Sequence, residues 1–183
     1  MKVSPRLLVL ALVPVAAVAA LVFWPRGVAG SNACFASEFK MPAGVKAMDF
    51  GCGVAHLTSA SSTVDVPVEI ADTPDQSERG LMYRTRIPAN AGMVFRFEAP
   101  TDTAFWMKDT LIPLAIAFYN QRGVITDILE MKPCAADPCE TYTPASEYIG
   151  AMEANAGFFA RQRIKVGDSF SLTVTKPAGP STR

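Results

Sequence analysis

Along residues 64–70, Val64, Val66, Val68 and Ile70 alternate with Asp65, Pro67 and Glu69. A period of two puts the aliphatic side chains on one face of an extended strand and leaves the other face wet. Proline has no N–H to give to a ladder, so Pro67 predicts an edge position. The alternation returns at Phe170, Leu172 and Val174, predicting a strand over 170–175. Short apolar segments predict further strands over 93–97, 103–107, 111–119, 124–131 and 148–154. Of these, 111–119 is nearly all apolar, the pattern of a strand covered on both faces. Asn120-Gln121-Arg122-Gly123 is turn-forming and predicts a hairpin.

One helix start is legible. Thr73 stands as N-cap, Pro74 at the first helical position, Asp75 in the first turn and Gln76 at the closing position of a capping box. The helix is expected to run to about residue 83, with Gly80 inside it. A glycine there costs about 1 kcal/mol relative to alanine, so either another segment approaches closely or the helix ends early. A further helical turn is predicted over 158–163. Residues 34–57 carry Pro42, Gly44, Gly51 and Gly53 without a sustained period, and 58–63 reads as a Ser/Thr/Ala linker. The chain therefore divides into an irregular extension and linker over 31–63, a domain over 64–175 and a tail over 176–183. Many short strands with one or two short helices predict an all-β fold, a compact β-sandwich or barrel-like single domain.

The N-terminus changes the compartment. Lys2 and Arg6 precede an uncharged apolar run over 7–24, the pattern of a signal peptide or an N-terminal membrane anchor within residues 1–30. The positive-inside bias puts the rest outside the cytoplasm in either case, periplasmic or secreted. The full chain has 17 basic and 17 acidic residues; without the first 30 there remain 14 against 17, a net charge of −3. A mildly acidic domain without basic runs argues against nucleic acid and anionic membrane surfaces as partners. Four cysteines fit an oxidising compartment. Cys134 and Cys139 flank the turn-prone Ala135-Ala136-Asp137-Pro138, which predicts a local disulfide and pairs Cys34 with Cys52 by default. The rival reading, a zinc site, lacks paired Cys-x-x-Cys spacing, and the sole histidine, His56, reads as a solvated linker residue. No metal and no cofactor is expected.

Three clusters mix apolar anchors with adjacent charges: Glu78-Arg79-Gly80-Leu81-Met82, Gly92-Met93-Val94-Phe95 and Phe105-Trp106-Met107-Lys108-Asp109-Thr110. So abrupt a switch marks a rim where core meets a polar surface or pocket. With Ile112-Pro113-Leu114, Pro133-Cys134, Met152-Glu153, Gly157 and Gly167-Asp168, they resemble the family catalogued as domain of unknown function 192, over about 64–175. The resemblance implies a small all-β domain, often carried behind a signal peptide, and no established activity. Two positions depart from the family pattern. Asp109 stands where asparagine is usual, and Ala115 where an aspartate follows Pro-Leu. If that aspartate works in a site, this chain lacks it, since Ala115 can neither transfer a proton nor bind a cation.

The functional expectation is an extracytoplasmic module that binds a small polar ligand or an envelope protein. Its site combines Arg79, Met82, Trp106, Lys108, Asp109 and Glu153. Trp106 is expected to be buried against 80–82, with Arg79, Lys108 and Glu153 gathered at a common rim around it. An enzyme is the alternative, with Glu78, Asp109 or Glu153 as general base and Lys108 or Arg79 stabilising developing charge. A third reading is Cu(I) handling by the thioethers of Met82, Met93, Met107 and Met152. Structural ion pairs and methionines filling gaps in a core account for the same letters.

Overall fold

The computed structural model describes Cys34 and residues 42–177. The targeting segment expected over 1–30 and the end of the tail lie outside the described residues. In chain order the elements are β1 (Gly51–Thr58), β2 (Thr63–Ala71), α1 (Pro74–Arg79), β3 (Gly92–Thr101), β4 (Phe105–Trp106) and β5 (Leu114–Tyr119). They continue with β6 (Ile125–Met131), β7 (Thr141–Tyr142), β8 (Tyr148–Asn155), α2 (Phe158–Arg161) and β9 (Ser169–Lys176). Seven strands form one sheet in the order β6-β5-β8-β3-β2-β1-β9, and β4 pairs with β7 in a separate ribbon. Among the described residues no helix is long and apolar enough to cross a membrane.

The sheet curls. At one end its two edge strands meet: Val124 bridges Ser169, and the Ile125 N–H donates to the Asp168 carbonyl at 2.9 Å. The sheet thus bends toward a barrel without closing. The period-two pattern then sorts side chains into two layers. Val66, Val68, Ile70, Val94, Ala117 and Phe170 point into the curl, which Phe158 and Phe159 of α2 help to fill. Met93, Phe95, Leu114, Ile116, Phe118 and Tyr148 point outward. Each such aliphatic or aromatic side chain removed from water contributes about 1.5–3 kcal/mol before entropy is charged against it. The outer layer needs a cover, and chain connections supply it.

That cover follows from topology. β2 and β3 pair in parallel, Val68 opposite Gly92 and Ala71 opposite Phe95, whereas the other pairings are antiparallel. Parallel neighbours cannot be joined by a tight turn, so residues 72–91 cross over the outer face. α1 is the start of this crossover, and both bonds of the predicted capping box are present at Thr73 and Gln76. It ends early, with Gly80 at φ 43°. A Cβ at Gly80 would stand 3.4 Å from the Phe95 ring, so the close approach and the early end coincide.

Three expectations change. Residues 51–58 form β1, paired along its length with β2 and β9, so the sheet begins before residue 64. β2 is an interior strand of the sheet, but its pairing with β3 starts only at Val68, so Pro67 sits where that side is locally an edge. The outer face of β2 is wet at Asp65 and Pro67 and dry at Glu69, which is 1% exposed because the crossover covers it.

Candidate functional site

Two connections meet on the outer face of the sheet: the crossover after α1, and the turn that follows β4. Their junction is a pair of hydrogen bonds. The Tyr83 N–H donates to the Asp109 carbonyl at 2.7 Å, and the Tyr83 hydroxyl donates to Asp109 Oδ2 at 2.9 Å. Both residues occupy the left-handed region, Tyr83 at φ 64° and Asp109 at φ 54°. Asparagine and aspartate tolerate that region best among residues with a Cβ; a tyrosine there is strained, and such strain concentrates at functional sites. By accepting the phenol hydrogen, the Asp109 carboxylate holds the Tyr83 hydroxyl above its ordinary titration range.

Around this junction lies a cleft of about 750 Å³. Its walls include Arg79, Met82, Tyr83, Trp106, Lys108 and Asp109, and the extension contributes residues 46–49. Trp106 is 46% exposed and Lys108 Nζ stands 5.8 Å from its ring centroid, a cation–π distance. Lys108 also pairs with Asp137 at 3.3 Å. Arg79 donates to the Lys46 carbonyl at 2.8 Å and lies 5.7 Å from the Tyr83 ring centroid. A smaller cavity of about 30 Å³ adjoins the cleft and shares Glu78, Arg79, Met82 and Trp106 with it. Phe95, Phe105 and Thr110 wall it, and Glu153 enters it from the sheet.

Glu153 and Glu69 belong to one row across the outer face. Glu69 lies beside Met93, Met93 beside Glu153, and Glu153 beside Ile116. The two carboxyls fare differently. Glu69 is paired with Arg84, both almost fully buried, and desolvation still raises its pKa against the lowering effect of the guanidinium. Its Oε2 is the atom in that ion pair, so it is satisfied by charge even where hydrogen-bond angles are poor. Glu153, 4% exposed, makes no hydrogen bond or ion pair with a described residue, and burial pushes its carboxyl up to about 8. At neutral pH it is therefore mostly protonated, a neutral donor at the end of a cavity.

The six residues expected at the site converge. Arg79, Met82, Trp106, Lys108 and Asp109 line the cleft, and Glu153 lines the cavity that opens beside it. They do not form closed ion pairs with one another: Lys108 turns to Asp137 and Arg79 to a backbone carbonyl. Trp106 does neighbour 80–82 across the small cavity, but it is a half-exposed wall rather than a core plug, because β4 pairs only with the short β7 and lies outside the main sheet. Glu153 is not on the rim but beneath it. Of the enzyme carboxylates, Glu78 lines both cavities, and the Asp109 carboxylate is taken by Tyr83.

Of the four thioethers, Met93 and Met107 lie in the outer core layer, Met152 lies in the inner layer, and only Met82 reaches the cleft. His56 is a residue of β1, bonded through Nδ1 to Asp65 at 2.7 Å and through Nε2 to Thr173 at 2.9 Å, rather than a linker residue. Both expected disulfides are present, Cys34–Cys52 and Cys134–Cys139. Ala115 points into the inner layer, on the opposite side of the sheet from Glu153, so the missing aspartate does not touch this cleft. Tyr83 and residues 46–49 were not legible as site residues. Tyr83 reads as a helix end and 46–49 as an irregular extension, and only the fold brings them to Trp106.

A protein from Sinorhizobium meliloti 1021, described as a candidate transcription regulator, superposes with a TM-score of 0.63 at 30% identity, over 67% of this chain and 95% of its own. A protein of unknown function from Novosphingobium aromaticivorans DSM 12444 superposes with a TM-score of 0.63 at 28% identity, over 74% of this chain and 96% of its own. None of the curated proteins compared matches the chain. The family DUF192, described as an uncharacterized ACR, matches residues 55–172, from within β1 to within β9. With its crossover and the three clusters inside that span, the chain belongs to the DUF192 family.

Proposed function

We propose that this protein is an extracytoplasmic small-ligand binding module whose site is the cleft at Trp106. The observation that carries the reading is the cleft of about 750 Å³ walled by a half-exposed tryptophan, with Arg79, Lys108 and Asp109 at its edge. Ligand sites combine a large apolar surface with a few fixed polar groups, and this cleft has both. Two disulfides and the apolar N-terminal run support the compartment. A thermal-shift screen over periplasmic sugars, amino acids, peptides and Cu(I) tests it. A ligand at a hundred times its dissociation constant stabilises by about 2.7 kcal/mol. That gain should vanish in Trp106→Ala. A panel that stabilises neither protein, or both equally, refutes the cleft as the site.

The second reading is an enzyme, and one observation favours it: Glu153, with its carboxyl near 8, is suited to proton transfer at physiological pH. It predicts turnover of a ligand found in the screen, with a rate profile that breaks near pH 8 and disappears in Glu153→Gln. Binding without conversion returns the protein to the first reading.

A further inference from the structure

We propose that the cavity at Glu153 receives the primary ammonium group of a small amine whose body lies in the Trp106 cleft. The inference rests on the cleft being a ligand site and specifies which end of the ligand goes where. The fold supplies an internal comparison. On the same row of the same face, Glu69 is buried with a cation from the crossover, Arg84, beside it. Glu153, one strand beyond Met93, is equally buried and has no partner among the described residues, yet a cavity leads to it. What Arg84 does for Glu69, an incoming cation does for Glu153. A buried carboxyl is either paired with a cation or neutralised by a proton, so a cationic ligand that reaches Glu153 takes the place of its proton as Arg84 does at Glu69.

Size and walls narrow the class. About 30 Å³ open to a water-sized group admits an ammonium. Phe95, Phe105 and Trp106 wall the cavity, and a cation that meets the face of such a ring is attracted by its quadrupole. Thr110 lines the same space, and its hydroxyl, which donates to the Lys108 carbonyl at 3.3 Å, keeps its lone pairs as an acceptor. The ionisable groups facing this cavity are Glu78 and Arg79 from α1, with Glu69 farther along the row and Lys108 and Asp109 in the cleft outside. Arg79, the cation nearest in the lining, is held by the Lys46 carbonyl and the Tyr83 ring. At neutral pH Glu153 holds a proton, so ammonium binding exchanges that proton for the ligand and releases it to buffer.

Calorimetric titration of the full chain with 2-phenylethylamine, 2-phenylethanol and phenylacetate at pH 7 tests the assignment, since the three share a ring and differ in the head group. The amine should bind at least tenfold more tightly than the alcohol. Its heat should vary with the ionisation enthalpy of the buffer, reporting close to one proton released per ligand. In Glu153→Gln, with folding checked by thermal unfolding at pH 6, the amine preference should shrink at least tenfold and the proton release should disappear. The proton count in the wild type stands even if the variant fails to fold. Equal or tighter binding of the alcohol or phenylacetate overturns the proposal, as does amine binding without proton release or a preference that survives in the variant. If only the alcohol or phenylacetate binds, the ammonium assignment falls and the cleft reading stands. If none binds, the ammonium assignment falls, and the wider screen decides the cleft.

Discussion

Glu153→Gln should remove one large part of the pH dependence of stability, over a range where the wild type weakens. A carboxyl raised from 4.5 to about 8 on folding keeps a proton in the native state that the unfolded state has lost. Stability from this group is fully present below the unfolded value and is lost as pH rises toward the folded value, levelling off above it. At 1.36 kcal/mol per unit, the full window corresponds to roughly 5 kcal/mol, of which about 4 kcal/mol falls between pH 5 and pH 9. Glutamine keeps the shape and carries no charge, so it removes this dependence and little else. Glu69, also raised, remains in both proteins and cancels in the difference, since it sits two strand spacings away, about 10 Å. Urea denaturation of both proteins at each pH unit from 5 to 9 gives the difference directly. The variant should gain on the wild type by about 1 kcal/mol per unit, most steeply between pH 5 and pH 8. A difference that stays constant over that range would show that Glu153 is ionised and solvated, and the reasoning about its cavity would fail with it.

Trp106→Ala should cost only about 1–2 kcal/mol in urea unfolding, well below the roughly 3–5 of a fully buried aromatic, because the residue is already 46% exposed; a loss of about 3 or more would place Trp106 in the core. Arg84→Ala should cost about 3–5 kcal/mol by the same measurement, since Glu69 is left buried without its cation, and an unchanged midpoint would mean that the pair adds nothing. Gly92→Ala should destabilise by at least about 2 kcal/mol, because the added methyl meets the Glu153 backbone carbonyl between β3 and β8; wild-type thermal unfolding would contradict that strand contact. Breaking Cys134–Cys139 by substituting both residues with serine should cost about 2 kcal/mol of chain entropy for so short a loop, read from the unfolding midpoint of the oxidised protein, and no change would show that the loop is ordered without the bond.

The legible part of this protein was local. Alternation at Val64–Ile70 and at Phe170, Leu172 and Val174, the capping box at Thr73 and Gln76, the 120–123 turn and the short Cys134–Cys139 loop each rest on interactions within a few residues. The composition of the three clusters also marked the neighbourhood of the cleft, because apolar anchors that fold together carry their adjacent charges to one place. β1 was illegible for a matching reason. Its sequence, Gly-Cys-Gly-Val-Ala-His-Leu-Thr, has little intrinsic strand signal and is held by ladders to β2 and β9 on its two sides, partners distant in sequence.

Burial was the quantity that the chain order could not assign. Glu69 reads as the wet side of a strand and Trp106 as core, and the fold reverses both. The parallel pairing of β2 with β3 sends the crossover over the outer face, which dries Glu69 and supplies Arg84 to it, while β4 leaves the sheet and carries Trp106 into solvent. The same crossover and the turn at Asp109 close over Glu153 and leave it a cavity, without a partner among the described residues. Sequence by itself determined, β1 apart, where the chain extends, turns and caps, because those choices are settled between near neighbours. Tertiary structure alone decided which ionisable side chains are dry, which are paired and that Glu153 lines a cavity, because desolvation depends on segments brought together from far along the chain.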